Sequence, residues 1–258
     1  MAALDSVAWL SGNSIMPGAP LSEQIYKQLR LAIVTGRIEP TGLIQEPLIA
    51  KHFDVSRTPV REALLRLRAD GLVTIRKQSG TFVAPIDPKR VEEGMLVREA
   101  LEPRVVEIAA TQLTERELTD LETETRLMAT AVKEHDSRSF IAADDRFHQV
   151  LIEAGGFPHI AEIIGRVNAQ LDRVRHLSAT NPVRARIAIR EHRALVRSLR
   201  AGNGAESSDL LRQHLQGSWQ LIRKIMSDFI NVFNMNRITL FENEVGWHIT
   251  FCCQIAWF

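Results

Sequence analysis

The stretch from Ser56 to Val83 constrains this chain most, because its hydrophobic period changes partway along. Val60, Ala63, Leu64 and Leu67 recur at the spacing of one helix face, which should turn towards a core. Arg57 and Arg61 are four apart and share the outer face near the helix start. Ser56 stands where an N-cap hydroxyl would accept a bond from a first-turn N–H, and Pro59 falls where a missing N–H costs little. After Gly71 come two β-prone runs, Val73 to Arg76 and Thr81 to Val83, and Lys77-Gln78-Ser79-Gly80 between them predicts a hairpin. A helix that carries arginines on its first turns and runs into a wing has the form of a recognition helix. Such residues reach base edges in the major groove, where Arg can donate two hydrogen bonds to guanine.

Two helices are expected upstream. Ile25, Leu29, Ala32 and Ile33 form one apolar face with Gly36 as a stop, and Pro47 opens a shorter helix carrying Leu48, Ile49 and Phe53. Residues 1–20, rich in Ser, Gly, Pro and Ala, read as a flexible lead. Between residues 21 and 84 there are ten basic and six acidic side chains, on a chain whose net charge is only +1. The basic surplus therefore sits on the segment that would meet a polyanion.

The run SRTPVREALLRLRADGLV (Ser56 to Val73), with LRLAIVTGRIEP before it and SGTFV after it, resembles the DNA-binding domain of GntR-type regulators. The resemblance implies a winged helix-turn-helix over residues 21–84, with double-stranded operator DNA as its partner. It also implies DNA contacts by Ser56, Arg57, Thr58 and Arg61, with Gly80 shaping the wing. The chain departs from the family in having Pro40-Thr41-Gly42 in place of the usual Pro-Gly after the first helix. Pro47 stands where some members carry a basic contact.

Residues 85–89 read as a linker, and from there to residue 231 the pattern is helical. Six helices are expected. The first begins after Asp87, the second at Thr114 (a capping box with Glu117) and the third after Ser137. The fourth begins near Pro158, the fifth is capped by Asn181 with Pro182 just inside, and the sixth runs from about Ala205 to Ile230. The fold class is therefore mainly α: an N-terminal winged helix-turn-helix and a C-terminal helical bundle.

Several polar residues fall on stripes that should be buried. Asp144 and His148 lie one turn apart among Phe140, Phe147 and Leu151. His192 lies in the row Ala188, Leu195, Leu199, and His214 in the row Leu211, Leu221, Ile225. Buried carboxylate and imidazole groups need partners. A divalent metal (Zn²⁺, Ni²⁺, Mn²⁺ or Fe²⁺) would satisfy all four residues and leave positions open for a ligand. On spacing alone they could equally be core polar groups with protein partners. Arg98, on the inward row Gly94, Leu101, Val105, needs an anion, either an effector carboxylate or a glutamate on another helix.

DDRFH, REHRALVRSLRAGN and LRQHL are similar to the FCD effector domain of the FadR subfamily. This resemblance covers residues 90 to about 231 and implies a metal held by Asp144, His148, His192 and His214. It further implies a small carboxylate or sugar-acid effector near Arg98, with Asn168 and Arg175 as lesser candidates, and a homodimer that most often acts as a repressor. The helix count resembles the six-helix, VanR-like branch.

The adjacent Cys252 and Cys253 offer no disulfide framework, no apolar run is long enough for a membrane span, and residues 1–20 lack a basic leader. A cytoplasmic protein is expected. A metal-dependent enzyme remains an alternative use of the Asp/His site, though no clear general base or phosphate loop accompanies it. A regulator whose metal is purely structural is another. Residues 232–258, apolar and β-prone, fit neither module.

Overall fold

The computed structural model describes residues 18–178 and 181–239. The head contains α1 (Leu21–Val34), β1 (Leu43–Ile44), α2 (Glu46–His52), α3 (Arg57–Ala69), β2 (Val73–Arg76) and β3 (Gly80–Val83). Its core is built from the faces the periodicity marks: Ile25, Leu29 and Ile33 of α1, Ile49 of α2, and Val60, Leu64 and Leu67 of α3 are all buried. The expected hairpin forms, with Val73 opposite Val83 and Arg76 opposite Gly80. Gly80 has φ +117°, a conformation that side chains resist, so the wing turn depends on glycine there. β1 was not anticipated. Its two residues pair Leu43 with Phe82 and Ile44 with Thr81, placing β3 in the middle of a three-stranded antiparallel sheet. A two-residue strand is too short to show a period.

Six helices follow, as the periodicity requires: α4 (Pro88–Ala109), α5 (Glu115–Lys133), α6 (Ser137–Ala154), α7 (Pro158–Ser178), α8 (Pro182–Arg200) and α9 (Gly204–Thr239). Local chemistry fixes most of their starts. Asp87 caps α4 by accepting from the Lys89 and Arg90 amides, and Asn181 caps α8 through Val183 and Arg184. At α5 the Glu117 amide donates to Thr114 Oγ1 at 3.3 Å, while the Thr114 amide donates to Glu117 Oε2 at 2.7 Å. Thr114→Ala removes this reciprocal pair and is expected to cost about 1 kcal/mol. Urea unfolding should show it as a lower midpoint with an unchanged slope, and an unmoved midpoint would mean the box carries no weight.

Three expectations are corrected. α6 begins at Ser137 itself rather than after it, because Asp136 caps it by accepting from the Arg138 and Ser139 amides. Ser56 occupies the N-cap position of α3 with extended backbone but makes no capping hydrogen bond, so its hydroxyl stays free of the first turn. α9 continues to Thr239, eight residues beyond the expected end of the bundle at residue 231, which takes the start of the tail into the helix. The rest of that tail, like most of the 1–20 lead, lies outside the described residues.

The bundle core gathers Val91 and Met95 of α4, Leu121 and Met128 of α5, Phe147 and Leu151 of α6, Leu195 of α8 and Leu211 of α9. α4 approaches α7 closely because of Gly94. A Cβ there would lie 2.9 Å from the Val167 carbonyl oxygen, nearer than such contacts allow. α7 also reaches the head, and its Ala169 packs into the head core. One helix therefore touches both modules.

Candidate metal centre and nucleic-acid interface

Asp144 and His148 project from successive turns of α6, and His192 of α8 and His214 of α9 meet them in the bundle interior. All four are buried, and one potential ligand atom from each lies within 4.8 Å of the other three. Ligands around an ion at about 2.1 Å stand roughly 3–4 Å apart, so modest side-chain rotation would close the group on a cation. Both ring nitrogens of His192, and Nε2 of His148, have no hydrogen-bond partner. Buried imidazole nitrogens without partners are costly, and a metal ion is the group that would use them. The donor set of three imidazoles and a carboxylate therefore fits a divalent ion.

The surroundings prepare these residues. Burial, together with the neighbouring His214, holds His192 well below its ordinary pKa, so the ring is neutral and its lone pair free. Burial lowers His214 too, against the pull of Glu191. Nδ1 of His214 lies 2.8 Å from Glu191 Oε2, and donation there leaves Nε2 to face the cluster. Nδ1 of His148 lies 2.9 Å from Glu102 Oε2, close enough for charge pairing but outside hydrogen-bond alignment. Burial pushes the Asp144 carboxyl up, but the Arg175 guanidinium beside it outweighs that and keeps the group ionised. Arg175 Nη2 donates to Asp144 Oδ2 at 2.5 Å, whereas Oδ1 lies 3.6 Å from His192 Nε2. The carboxylate thus offers one oxygen to a guanidinium and the other to the imidazoles.

A cavity of about 50 Å³ adjoins the cluster, with Asp144 and His214 in its wall beside Met95, Arg98, Arg175 and Arg184. It suits a ligand of a few heavy atoms. Arg98 does have an internal partner, but on its own helix rather than another: Nε donates to Glu102 Oε1 at 2.5 Å. Arg175 lines the cavity, whereas Asn168, buried on α7 with an unpartnered Oδ1, is not among the lining residues. Sequence reasoning missed Glu102, Arg184 and Glu191. Glu102 follows Arg98 by one turn on the same inward row and was within reach of a pattern argument. Arg184 bonds Glu191 at 2.8 Å, the His214 carbonyl at 3.0 Å and Ser218 Oγ at 2.9 Å, a set only the fold assembles.

On the head, Ser56, Arg57 and Thr58 are exposed at the start of α3. Arg61 is exposed one turn on, with Nε 3.1 Å from Glu46 Oε2 of α2. Arg76 of the wing stacks over Phe82, 5.0 Å from the ring centroid. Among the described residues no helix is long and apolar enough to cross a membrane.

Comparisons with known proteins agree with both modules. Residues 21–83 match the family described as bacterial regulatory proteins, gntR family, and residues 93–217 match the FCD domain. The HTH-type transcriptional repressor RspR of Escherichia coli K12 is 32% identical over 216 residues, covering 84% of this chain and 95% of that protein. The gluconate operon transcriptional repressor of Bacillus subtilis is 32% identical over 151 residues, 58% of this chain and 62% of that one. Among solved structures, E. coli McbR/YncC superposes with TM-score 0.73 at 22% identity, over 81% of this chain and 99% of its own, which shows the shared fold. A crystal structure described as a putative transcriptional regulator GntR from Rhodococcus sp. RHA1 superposes with TM-score 0.64 at 25% identity, over 78% and 97%.

Proposed function

This chain belongs to the GntR family of bacterial transcription regulators and carries an FCD domain, and from that premise we propose that it is a metal-dependent repressor released or engaged by a small carboxylate. Its curated relatives are transcription regulators, and it is a regulator rather than an enzyme. The observation that carries the proposal is the buried Asp144–His148–His192–His214 cluster, whose partnerless ring nitrogens adjoin a cavity walled by guanidinium groups.

A divalent ion at the cluster supplies open coordination positions for a carboxylate oxygen. The chain's own residues do the rest. Glu191 holds the His214 ring in orientation from behind, and Glu102 lies 2.9 Å from His148 Nδ1 on the corresponding side. Arg175 and Arg184 bring positive charge to the cavity wall, and the cavity's size favours an acid of a few heavy atoms, sugar acids only if it opens. Residues 21–84 act as the DNA-binding unit and the bundle of α4 to α9 as the sensing and dimerising unit, in the cytoplasm; the joint is residues 85–87, shorter than the expected 85–89 because α4 already begins at Pro88. Two heads on a symmetric dimer would read the two half-sites of a near-palindromic operator. In each head Arg57 and Arg61 meet base edges, while Ser56, Thr58 and the uncapped first turn of α3 meet phosphate, and the Gly80 turn presents the wing.

The test is the thermal stability of metal-stripped protein, with and without Zn²⁺ or Ni²⁺, across a panel of small carboxylic and sugar acids. A ligand at 100 times its dissociation constant adds about 2.7 kcal/mol to the native state. A metal-dependent upward shift with one class of acid is expected. Metal stabilisation without any acid effect would instead mark a structural ion, and no response to metal would return the four residues to the core.

A further inference from the structure

Asp172 of α7 stands between the two modules. Its Oδ1 accepts from Arg175 Nη1 at 3.0 Å, and its Oδ2 accepts from Arg30 Nη2 of α1 in the head. Arg175 also donates to Asp145 Oδ1 at 2.7 Å and, from its other terminal nitrogen, to Asp144 Oδ2 at 2.5 Å. Charge-assisted hydrogen bonds therefore run without a break from the Asp/His cluster to the first helix of the DNA-binding head: Asp144, Arg175, Asp172, Arg30. The side chains of Asp144, Arg175 and Asp172 are each no more than 10% exposed, so salt screens this series little. The neighbouring hydrogen bonds of α7 with the head are to backbone: Gln170 Nε2 donates to the Gly71 carbonyl at 2.5 Å, and Arg173 Nη1 to the Ala84 carbonyl at 2.8 Å. Those contacts hold the head in place but do not touch the cluster.

We propose that this series is the line through which the head reads occupancy of the cluster, an inference that rests on the metal reading above. One guanidinium, Arg175, is shared by three carboxylates, and one carboxylate, Asp172, is shared by two guanidiniums. A cation held by Asp144, His148, His192 and His214 would offset the charge of Asp144 and so loosen its hold on Arg175. Arg175 then bonds Asp172 more strongly, and Asp172 holds Arg30 less well, so the head loosens on α7. Coupling of this kind is reciprocal. Removing Arg30, although it lies in the other module, frees Asp172 to draw Arg175 away from Asp144 and must tighten the cation. Removing the charge of Asp172 leaves Arg175 to Asp144 and must weaken it.

The experiment is a competition titration of Zn²⁺ against a chelating indicator, on the full metal-stripped chain in 0.15 M salt. Arg30→Met should bind Zn²⁺ about three- to tenfold more tightly than the parent, and Asp172→Asn more weakly by a similar factor, within the range such networks carry. Arg30→Lys, which keeps the charge, should lie near the parent. Lys27→Met removes an exposed charge one turn away on α1 and should leave the affinity unchanged, since an exposed charge is screened. Equal Zn²⁺ affinity in the parent, Arg30→Met and Asp172→Asn would overturn the relay while leaving the metal site intact. An equal gain in Lys27→Met would also overturn it, by reducing the effect to the general field. If the parent binds no Zn²⁺, the metal reading fails and takes the relay with it.

Discussion

Replacing His192 with Ala should lower Zn²⁺ affinity by more than about 100-fold. Loss of an outer partner of a metal ligand typically costs 10- to 100-fold, and loss of a ligand itself must cost more. His192 is the cluster member with the fewest other duties. It is fully buried, and among the described residues neither ring nitrogen has a hydrogen-bond partner and its only ring packing outside the imidazoles is against Phe147, centroids 4.2 Å apart. His214 and His148, by contrast, each have a glutamate beside them. The variant leaves a void, so circular dichroism should first establish that the helices persist. Zn²⁺ stoichiometry and affinity equal to the parent's in a folded His192→Ala protein would remove this residue from the site.

The second large effect concerns DNA. Arg57→Ala and Arg61→Ala should each cost about 1–3 kcal/mol of operator binding, roughly fivefold to more than a hundredfold, without unfolding the head. Both side chains are exposed and outside the apolar face that α3 buries. The two are not expected to be equal. Arg61 must first leave Glu46, to which it is paired in the free protein, and that exchange offsets part of what it gains on guanine. Arg57 makes no ion pair among the described residues and meets DNA without that loss, so its removal should cost more. Anisotropy titrations against an operator selected from a random library, at one fixed salt concentration, would measure both. Affinity unchanged in both variants would place the recognition surface elsewhere than α3.

Much of this was readable from the chain, and the reason differs from element to element. The starts of α4, α5 and α8 were legible because a cap is a short-range device: Asp87, Thr114 with Glu117, and Asn181 act on amides two or three residues away. Ser56 shows the limit of the same rule. It has the right residue type and backbone, but its hydroxyl makes no bond to α3, because side-chain rotation is not set by sequence position. Likewise the helical pattern correctly continued through six elements, yet the end of α9 was missed. β-prone composition beyond residue 231 carries less weight than continuation of a helix already formed, in which each added residue gains a bond at little extra cost.

The sequence by itself determined which residues had to be inside: one carboxylate and three imidazoles on apolar stripes, together with Arg98 on an inward row. Helical periodicity fixes the face of each side chain, and burial of polar groups demands partners, so the need for partners followed from pattern, whereas a single shared site was only what the family resemblance implied. Only the tertiary structure decided who those partners are. It set Glu191 against His214 across 23 residues, Arg175 against Asp144 across 31, and Arg30 of the head against Asp172 across 142. Hydrogen bonds act over about 3 Å, and no periodicity encodes which of several buried charges the packing of separate helices will bring within that distance.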